Sequence, residues 1–365
     1  MKVTGDWLTT ARPVCDALAP HRALFVGGCV RNALLGVPVS DIDIATDARP
    51  ERVRDLAEAA GFRTIPTGIE HGTVTIIANG VPHEVTTFRR DVETDGRRAT
   101  VAFSTDVAED AARRDFTMNA LYADAFGTVI DPLGGLPDLR AHHVRFVGDP
   151  EARIREDYLR ILRFFRFHAI YGRDLDADGL AACAANADGI ESLSRERVGA
   201  EMKKLLAARD PAPSVAAMAH AGVLGRVLPG SDARALPVLV HLETLSPDPI
   251  RRLAVLGGEA DLRLSRSEAA RLTLIRRAAL EGNILETAWR HGADIARDAA
   301  LVRAALMESL PETEGIDAAA AARFPVTAAD LMPALSGAAL GARLKEIEAR
   351  WIASGFSLSR EDLLR

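Results

Sequence analysis

The sequence predicts an α+β fold in which a small mixed head precedes a long all-helical arm. Three observations carry this. Residues 72–88, GTVTIIANGVPHEVTTF, hold two β-branched runs around Asn79-Gly80, the pair that best accepts positive φ at both turn positions of a hairpin. Short apolar runs at 23–27 and 42–45 suit buried strands. After Asp149-Pro150 the chain becomes rich in Ala, Leu, Arg and Glu with helical periodicity and few strand signals.

Taken in order, the head begins with the 23–27 strand. Gly27-Gly28 and a helix-like segment follow, then the 42–45 strand. After the 72–88 hairpin, residues 89–113 are polar and charged with little periodicity and are expected to be a mobile loop. Residues 120–130 carry a further strand. In the arm, Pro211-Ala212-Pro213, the SPDP of 246–249 and the segment from Pro311 mark helix boundaries.

Composition bounds the function. A length of 365 residues suggests two or more domains, and a 48% apolar content is that of an ordinary globular protein. No run of about eighteen uncharged apolar residues exists, so no membrane partner is expected. The opening MKVTGDWLTT lacks the pattern of a signal peptide. Cys15, Cys29 and Cys183 have no metal-ligand spacing and fit reduced thiols, so a cytoplasmic location is expected. The net charge of −6 does not advertise a nucleic-acid partner, and any phosphate binding must come from local arginine clusters.

Asp41 and Asp43 lie in SDIDIAT, between Val39 and Ile44. Residues two apart on a strand point to one face, so an extended segment projects both carboxylates together. Such a pair repels unless a cation joins it, and all-oxygen ligation with phosphate is magnesium chemistry. Glu84, on the second hairpin strand, is either an exposed rung or a third acid near the pair. Gly27-Gly28 would let backbone N–H groups approach a phosphate, with Arg31 one turn into the helix; a tight strand–helix turn is the alternative.

GGCVRNALLG…SDIDIAT, HEVTTFR, RRDFTMNALY, EDYLRILRFFRF and LSRERVGAEMKK, in this order, resemble the motifs of the class II tRNA nucleotidyltransferases, the family of CCA-adding enzymes and bacterial poly(A) polymerases. The resemblance covers residues ~22–207 strongly. It implies a polymerase-β-like nucleotidyltransferase head with a mixed sheet over 1–148, a helical neck that selects the base over 149–208, and a tRNA-binding helical body and tail over 209–365. Asp41 and Asp43 match the metal-binding aspartates and Glu84 the nearby acid. Gly28 and Arg31 match phosphate-holding positions. Asn32 stands where the family usually has Asp; it can still accept a hydrogen bond from Arg31, but without charge.

In RRDFTMNALY, Arg114 can pair bidentately with phosphate and Asn119 can reach a ribose hydroxyl. A helix start capped by Asp115 is the alternative. The resemblance assigns Arg114 to nucleotide binding. REDYLRILRFFRF reads as one amphipathic helix with an apolar stripe of Tyr158, Leu162, Phe165 and Ala169. Asp157 and Arg160 are i, i+3 neighbours off that stripe, and with Arg163 and Arg166 they leave surplus positive charge. The bland reading is a solvated ion pair. Yet cytosine and adenine both present an amino donor beside a ring-nitrogen acceptor, which Asp157 and Arg160 satisfy, whereas uracil and guanine present the reverse. The resemblance assigns Asp157 and Arg160 to base selection, and Arg163 and Arg166 to further nucleotide contacts.

In LSRERVGAEMKKLL, Ser194 is a helix cap. Beyond it no catalytic constellation appears: His220, His241 and His291 lack metal spacing, and Arg251, Arg252, Arg263, Arg266 and Arg271 are candidate phosphate contacts. The expectation is therefore a Mg2+-dependent, template-independent enzyme that adds C, C and A to tRNA from CTP and ATP. A poly(A) polymerase of the same family shares every motif. The length and polarity of FRRDVETDGRRATVAF favour CCA addition, because in the family a version that is not intact goes with stopping after CC. A non-catalytic tRNA-binding protein is the remote alternative, against which the intact acid pair argues.

Overall fold

The computed structural model describes residues 1–69, 72–92, 100–244, 246–259, 261–332 and 334–365. The chain forms two compact units, Met1–Leu193 and Ser194–Arg365. The expected boundary at 148/149 lies inside the first, and that at 208/209 inside the second.

The first unit runs α1 (Asp6–Ala17), β1 (Ala23–Val26), α2 (Gly28–Leu35), β2 (Asp43–Thr46), α3 (Pro50–Ala59), β3 (Arg63–Gly68), β4 (Thr73–Ala78), β5 (Val81–Thr87), β6 (Arg89–Val92), β7 (Thr100–Phe103), α4 (Val107–Ala112), β8 (Tyr122–Ala123), β9 (Val129–Ile130), α5 (Leu136–Ala141), α6 (Pro150–Glu156), α7 (Leu159–Tyr171) and α8 (Ala177–Ala185). Seven strands form one sheet in the order β3-β4-β5-β2-β1-β8-β9. The β2–β5 pair is parallel and its other pairs are antiparallel, so the sheet is mixed. Strands β4 and β5 meet as the sequence predicts, with Asn79 at φ 52° and Gly80 at φ 79° in the turn. Alternation then buries His83, Val85 and Thr87 and leaves Glu84 exposed. Leu24, Val26, Ala45, Phe88, Ala111, Ala120, Tyr122 and Val147 make one core cluster beneath this sheet.

Two expectations need correction. Residues 89–113 are not one loop. β6 and β7 pair as a separate two-stranded ribbon, and α4 follows, capped by the Asp106 carboxylate on the Ala108 N–H. Residues 93–99 of the expected loop lie outside the described residues. The EDYLRILRFFRF stretch is not one helix either. Asp157, at φ −154° and ψ 105°, breaks it between α6 and α7. Its carboxylate accepts the Leu159 N–H at 3.1 Å and its carbonyl the Arg160 N–H at 2.9 Å, so Asp157 starts α7 as a cap does. The buried face of α7 is also wider than the expected stripe. Ile161, Phe164 and Phe167 join Leu162 and Phe165 inside. Phe164 stacks on Phe146 (5.5 Å between ring centroids) and Phe167 lies 4.9 Å from Phe116, which fastens α7 to the segment after RRD.

The second unit is helical: α9 (Arg195–Leu206), α10 (Ala212–His220), α11 (Val223–Val227), α12 (Leu236–Leu242), α13 (Pro249–Leu256), α14 (Arg266–Leu280), α15 (Ile284–His291), α16 (Ala293–Met307), α17 (Ile316–Ala321), α18 (Gly337–Ala353) and α19 (Arg360–Leu364). Ser194 caps α9 through the Arg197 N–H. His220, His241 and His291 are exposed. Arg251 and Arg252 are buried, at 2% and 1% exposure, and cannot serve as surface phosphate contacts. Both pair with Glu243, Arg251 also with Asp298, and Arg252 satisfies the carbonyls of Leu206, Ala208 and Arg209. Arg271 is likewise committed to Asp248 and Asp298. Their sequence signal is indistinguishable from that of a basic surface, because no local pattern shows that Glu243, eight and nine residues from Arg251 and Arg252, and the more distant Asp298 turn inward to meet them.

Candidate active site

The acids gather where β2 begins. Asp43 is its first residue and stands opposite Glu84 in the parallel register with β5. Asp41 precedes the strand and accepts a hydrogen bond from Ser40 Oγ. The strand face expected to carry both aspartates therefore carries Asp43, and Asp41 reaches the site from the approaching segment. Asp43 is exposed by surface area, yet the groups packed around its carboxyl partly desolvate it, and this first and Glu84 next raise its pKa; Arg114 opposes the rise, and Asp41 adds to it. Carboxylates crowded in this way are what a divalent cation relieves. Among the described residues no three acid, imidazole or thiol side chains form a ready cage. An oxygen-ligand pair completed by substrate phosphates is the arrangement magnesium takes.

Facing the acids is a cationic rim. The chain turns from β1 into α2 at Gly27, whose φ of 70° favours glycine and where a Cβ would come 3.3 Å from Arg114 Nη1. The N-terminus of α2 opens there. Arg114 is held at two corners: its Nε donates to Tyr122 Oη at 3.0 Å and its Nη2 to Asp110 at 3.1 Å. Tyr122 itself donates to Asp110 at 2.7 Å. Burial alone would weaken the Arg114 charge, but Tyr122 and Asp110 outweigh it and keep the guanidinium firmly protonated.

Arg31 and the RRDFTMN segment are joined. Arg31 Nη1 donates to Asn119 Oδ1 at 2.5 Å, and Asn119 Nδ2 donates to Asp115 at 2.9 Å. Asn119 is 6% exposed. Its amide is oriented by these two protein partners, with one lone pair on Oδ1 and one N–H on Nδ2 beyond those bonds. Asp115 also accepts the Phe116 N–H and pairs with Arg163, whose Nε lies 2.7 Å away. Burial would raise the Asp115 pKa, but Arg163, with Asn119 and the Phe116 amide, holds the carboxyl below its usual value. Arg166 lies over the Phe167 ring at 4.5 Å.

At the α6–α7 break the Asp157 carboxylate engages the Leu159 N–H. Arg160 is bound to Glu156 and donates to the carbonyls of Arg153 (2.7 Å) and Arg113 (3.1 Å). The break places Asp157 outside the continuous helix that carries Arg160. Sequence reasoning missed Asp110, Tyr122 and Tyr171. The second lies inside the quoted NALY, but nothing local signals that its hydroxyl would meet Arg114.

No helix among the described residues is long and apolar enough to cross a membrane. Residues 23–145 match the poly A polymerase head domain, and residues 174–234 match a probable RNA and SrmB-binding site of polymerase A. The chain is 46% identical to the human mitochondrial CCA tRNA nucleotidyltransferase 1 over 51% of this chain and 44% of that protein. It is 43% identical to the CCA-adding enzyme of Limosilactobacillus fermentum over 57% and 52%. The matched stretch thus spans about half the length of these relatives. Over the solved CCA-adding enzyme of Bacillus stearothermophilus in complex with CTP, the TM-score is 0.79 at 29% identity, covering 99% of this chain and 96% of the other. The Thermotoga maritima CCA-adding enzyme complexed with tRNA_CCA shares the fold, with a TM-score of 0.70 at 18% identity and coverage of 100% and 95%. Because 34% identity to the Danio rerio mitochondrial CCA tRNA nucleotidyltransferase 1 extends over 93% of this chain and 85% of that relative, helical arm included, the chain belongs to the class II tRNA nucleotidyltransferases, the family of the CCA-adding enzymes.

Proposed function

We propose that the protein completes tRNA 3′ ends, adding C, C and A without a template from CTP and ATP and releasing pyrophosphate. The observation that carries this reading is the Asp43–Glu84 register beside Arg114, which sets acids against a cationic rim where the interior strand β2 begins. The names of the relatives and the CTP complex of the Bacillus enzyme favour these substrates.

Members of this nucleotidyltransferase family are generally metal-dependent. In this chain Asp41 and Asp43 would hold the metal, Mg2+ on the chemistry of an all-carboxylate pair. Held there, Mg2+ would supply Lewis acidity toward the primer hydroxyl and positive charge against the departing pyrophosphate. The protein's own groups do the rest. The amides at Gly28 and the Arg31 and Arg114 guanidinium groups bind the triphosphate. Glu84 completes the acidic side. The primer 3′-oxygen forms a bond to the α-phosphorus as the bond to the β-phosphate bridging oxygen breaks. Arg163 and Arg166 add positive charge along α7, and Asp157 with Arg160 reads the base edge at the α6–α7 break. Residues 1–148 carry the chemistry, 149–208 the base selection, and 209–365 bind tRNA, with the exposed Arg263 and Arg266 as phosphate contacts. Cytoplasmic action belongs to the proposal, supported by three free, buried thiols, although the mammalian relatives are named mitochondrial.

The test is incubation with tRNA lacking its 3′ end, Mg2+ and each nucleotide singly and mixed. Growth by three residues and arrest is expected. Long oligo(A) on any RNA would replace the reading with poly(A) synthesis, and binding without transfer would make the chain a tRNA-binding protein.

A further inference from the structure

Arg31 is 7% exposed, and among the described residues the acceptors of its hydrogen bonds are neutral. Its Nε and Nη2 donate to Asn32 Oδ1 at 3.1 and 2.8 Å, its Nη1 to Asn119 Oδ1 at 2.5 Å, and its Nη2 again to Tyr171 Oη at 2.7 Å. Of the five N–H groups of a guanidinium, the remaining one, on Nη1, has no partner among the described residues. The flat face of the group lies over the Tyr171 ring at 4.1 Å and over Phe167 at 5.2 Å. Asp115 is the near carboxylate, but Asn119 stands between it and Arg31. Burial, the largest influence on Arg31, lowers its pKa, and Arg166 adds to that effect. A guanidinium in this state is fixed in direction and short of negative charge, which is the condition for capturing an anion.

Tyr171 is the last residue of α7. Its position is itself fixed. Its ring packs 5.5 Å from Phe167, one turn earlier, and its carbonyl meets His142 Nδ1 at 3.0 Å. The hydroxyl that accepts from Arg31 also lies 3.4 Å from Asn32 Oδ1. Tyr171 therefore touches Arg31 in two ways at once, through its edge and through its face, from an element 140 positions further along the chain.

We propose that Tyr171 is a positioning residue for nucleotide binding: its hydroxyl and ring together hold the Arg31 guanidinium in the direction that receives a nucleotide phosphate. The role matters here because the neighbouring acceptor is Asn32, an amide without charge. A carboxylate at position 32 would orient and neutralise Arg31 alone; the amide needs a second acceptor. The inference rests on the nucleotidyl-transfer reading, in which Arg31 binds phosphate.

The experiment compares wild type, Tyr171→Phe, Asn32→Asp and the double variant. It measures KM for CTP and ATP, kcat, the midpoint of thermal unfolding, and CTP binding by calorimetry. Tyr171→Phe keeps the ring and removes the acceptor. It is expected to raise KM for both nucleotides, and weaken CTP binding, about five- to tenfold, the size of one lost hydrogen bond to a charged group, with kcat within about twofold and unfolding unchanged. In the Asn32→Asp background the same change is expected to cost less than about twofold, because the carboxylate now orients Arg31. Tyr171→Leu, which removes ring and acceptor together, is expected to lose more than Tyr171→Phe. Unchanged KM and CTP affinity in Tyr171→Phe would overturn the proposal. So would an equal loss in both backgrounds, or a loss that follows a lowered unfolding midpoint. A wild type that binds CTP but transfers nothing would sink the transfer reading alone, since the binding measurement still reads the coupling of Tyr171 to position 32.

Discussion

Asp43 stands directly opposite Glu84 across the parallel β2–β5 ladder, so two acids face each other where the sheet meets the cationic rim. Partial desolvation and Glu84 raise the Asp43 pKa, which means that ionising it opposes folding. The penalty is absent below the ordinary carboxylate range, grows as pH rises through it, and is complete above the raised folded value. Without divalent metal at pH 7, Asp43→Asn should therefore unfold at a higher temperature than wild type, and the gap should close as pH falls through the carboxylate range. Added Mg2+ should stabilise wild type and not the variant. Transfer should drop at least about a hundredfold. Thermal unfolding with and without Mg2+, beside a primer-extension assay, checks all three; a variant no more stable than wild type in chelator would mean the acids do not repel.

The Asp115–Arg163 pair gives the opposite sign. Arg163 holds the buried Asp115 carboxyl below its usual pKa, so the pair's stabilisation is present above the ordinary carboxylate range and is lost as pH falls through the lowered value. Arg163→Ala leaves a buried carboxylate with only Asn119 and an amide. A cost of about 2–3 kcal/mol is expected at pH 7, at the low side of broken buried pairs because Arg163 is partly exposed. The cost should shrink toward pH 4 as Asp115 in the variant takes up a proton. Urea denaturation at the two pH values measures it, and a pH-independent difference would show that packing on the Phe167 ring, 5.3 Å from the Arg163 guanidinium, and not charge, is what Arg163 contributes.

These relationships separate what the sequence can express from what it cannot. The β4–β5 hairpin was legible because its turn chemistry is local, as was the Ser194 cap. The β6–β7 ribbon was not, because its strands have four residues each, one of them mostly charged, and draw their order from cross-strand pairing. The break at Asp157 is hidden by an apolar rhythm that continues through it. Asp41 and Asp43 were recognisable from spacing and flanking residues, yet the Asp43–Glu84 register depends on a parallel crossover that no local pattern encodes. Arg31 was marked as a phosphate ligand, but its contact with Tyr171 joins elements 140 positions apart. Arg251 and Arg252 looked like a basic surface because helix packing, not a local pattern, turns the nearby Glu243 and the remote Asp298 inward to meet them.

Those arginines supply a third test. Arg252→Ala would leave Glu243 with Arg251 alone, its Oε2 without the Arg252 partner, and would strip three backbone carbonyls of theirs in the interior of the helical unit. A loss of about 3–5 kcal/mol is expected, seen as early unfolding of that unit. Arg266→Ala, at an exposed position, should leave stability within about 0.5 kcal/mol and weaken tRNA binding with a shallower salt dependence. Circular dichroism melts and binding titrations at several salt concentrations distinguish the two. Equal effects of both variants on tRNA affinity at unchanged stability would return Arg252 to the surface.

The base-selecting assignment needs a variant that spares the cap. Asp157 both starts α7, through the Leu159 N–H, and is proposed to accept the amino group of cytosine or adenine. Asp157→Ala removes both functions and should cost about 1 kcal/mol of stability for the lost cap. Asp157→Ser keeps a capping oxygen but removes the carboxylate. If the carboxylate reads the base, both variants lose discrimination against UTP and GTP. The repulsion of their carbonyl oxygens is gone, and so is a charge-assisted bond to the correct bases worth roughly 1.5–3 kcal/mol, or about one to two powers of ten in relative efficiency. If Asp157 only caps, the serine variant keeps wild-type stability and preference while the alanine variant loses stability alone. Arg160→Ala should impair CTP and ATP together, since both bases would use the same donor, and it also releases Glu156 and the Arg113 carbonyl. Steady-state kinetics with all four nucleotides on the three variants decide it: wild-type rates and preference in Asp157→Ser would confine this carboxylate to the start of a helix.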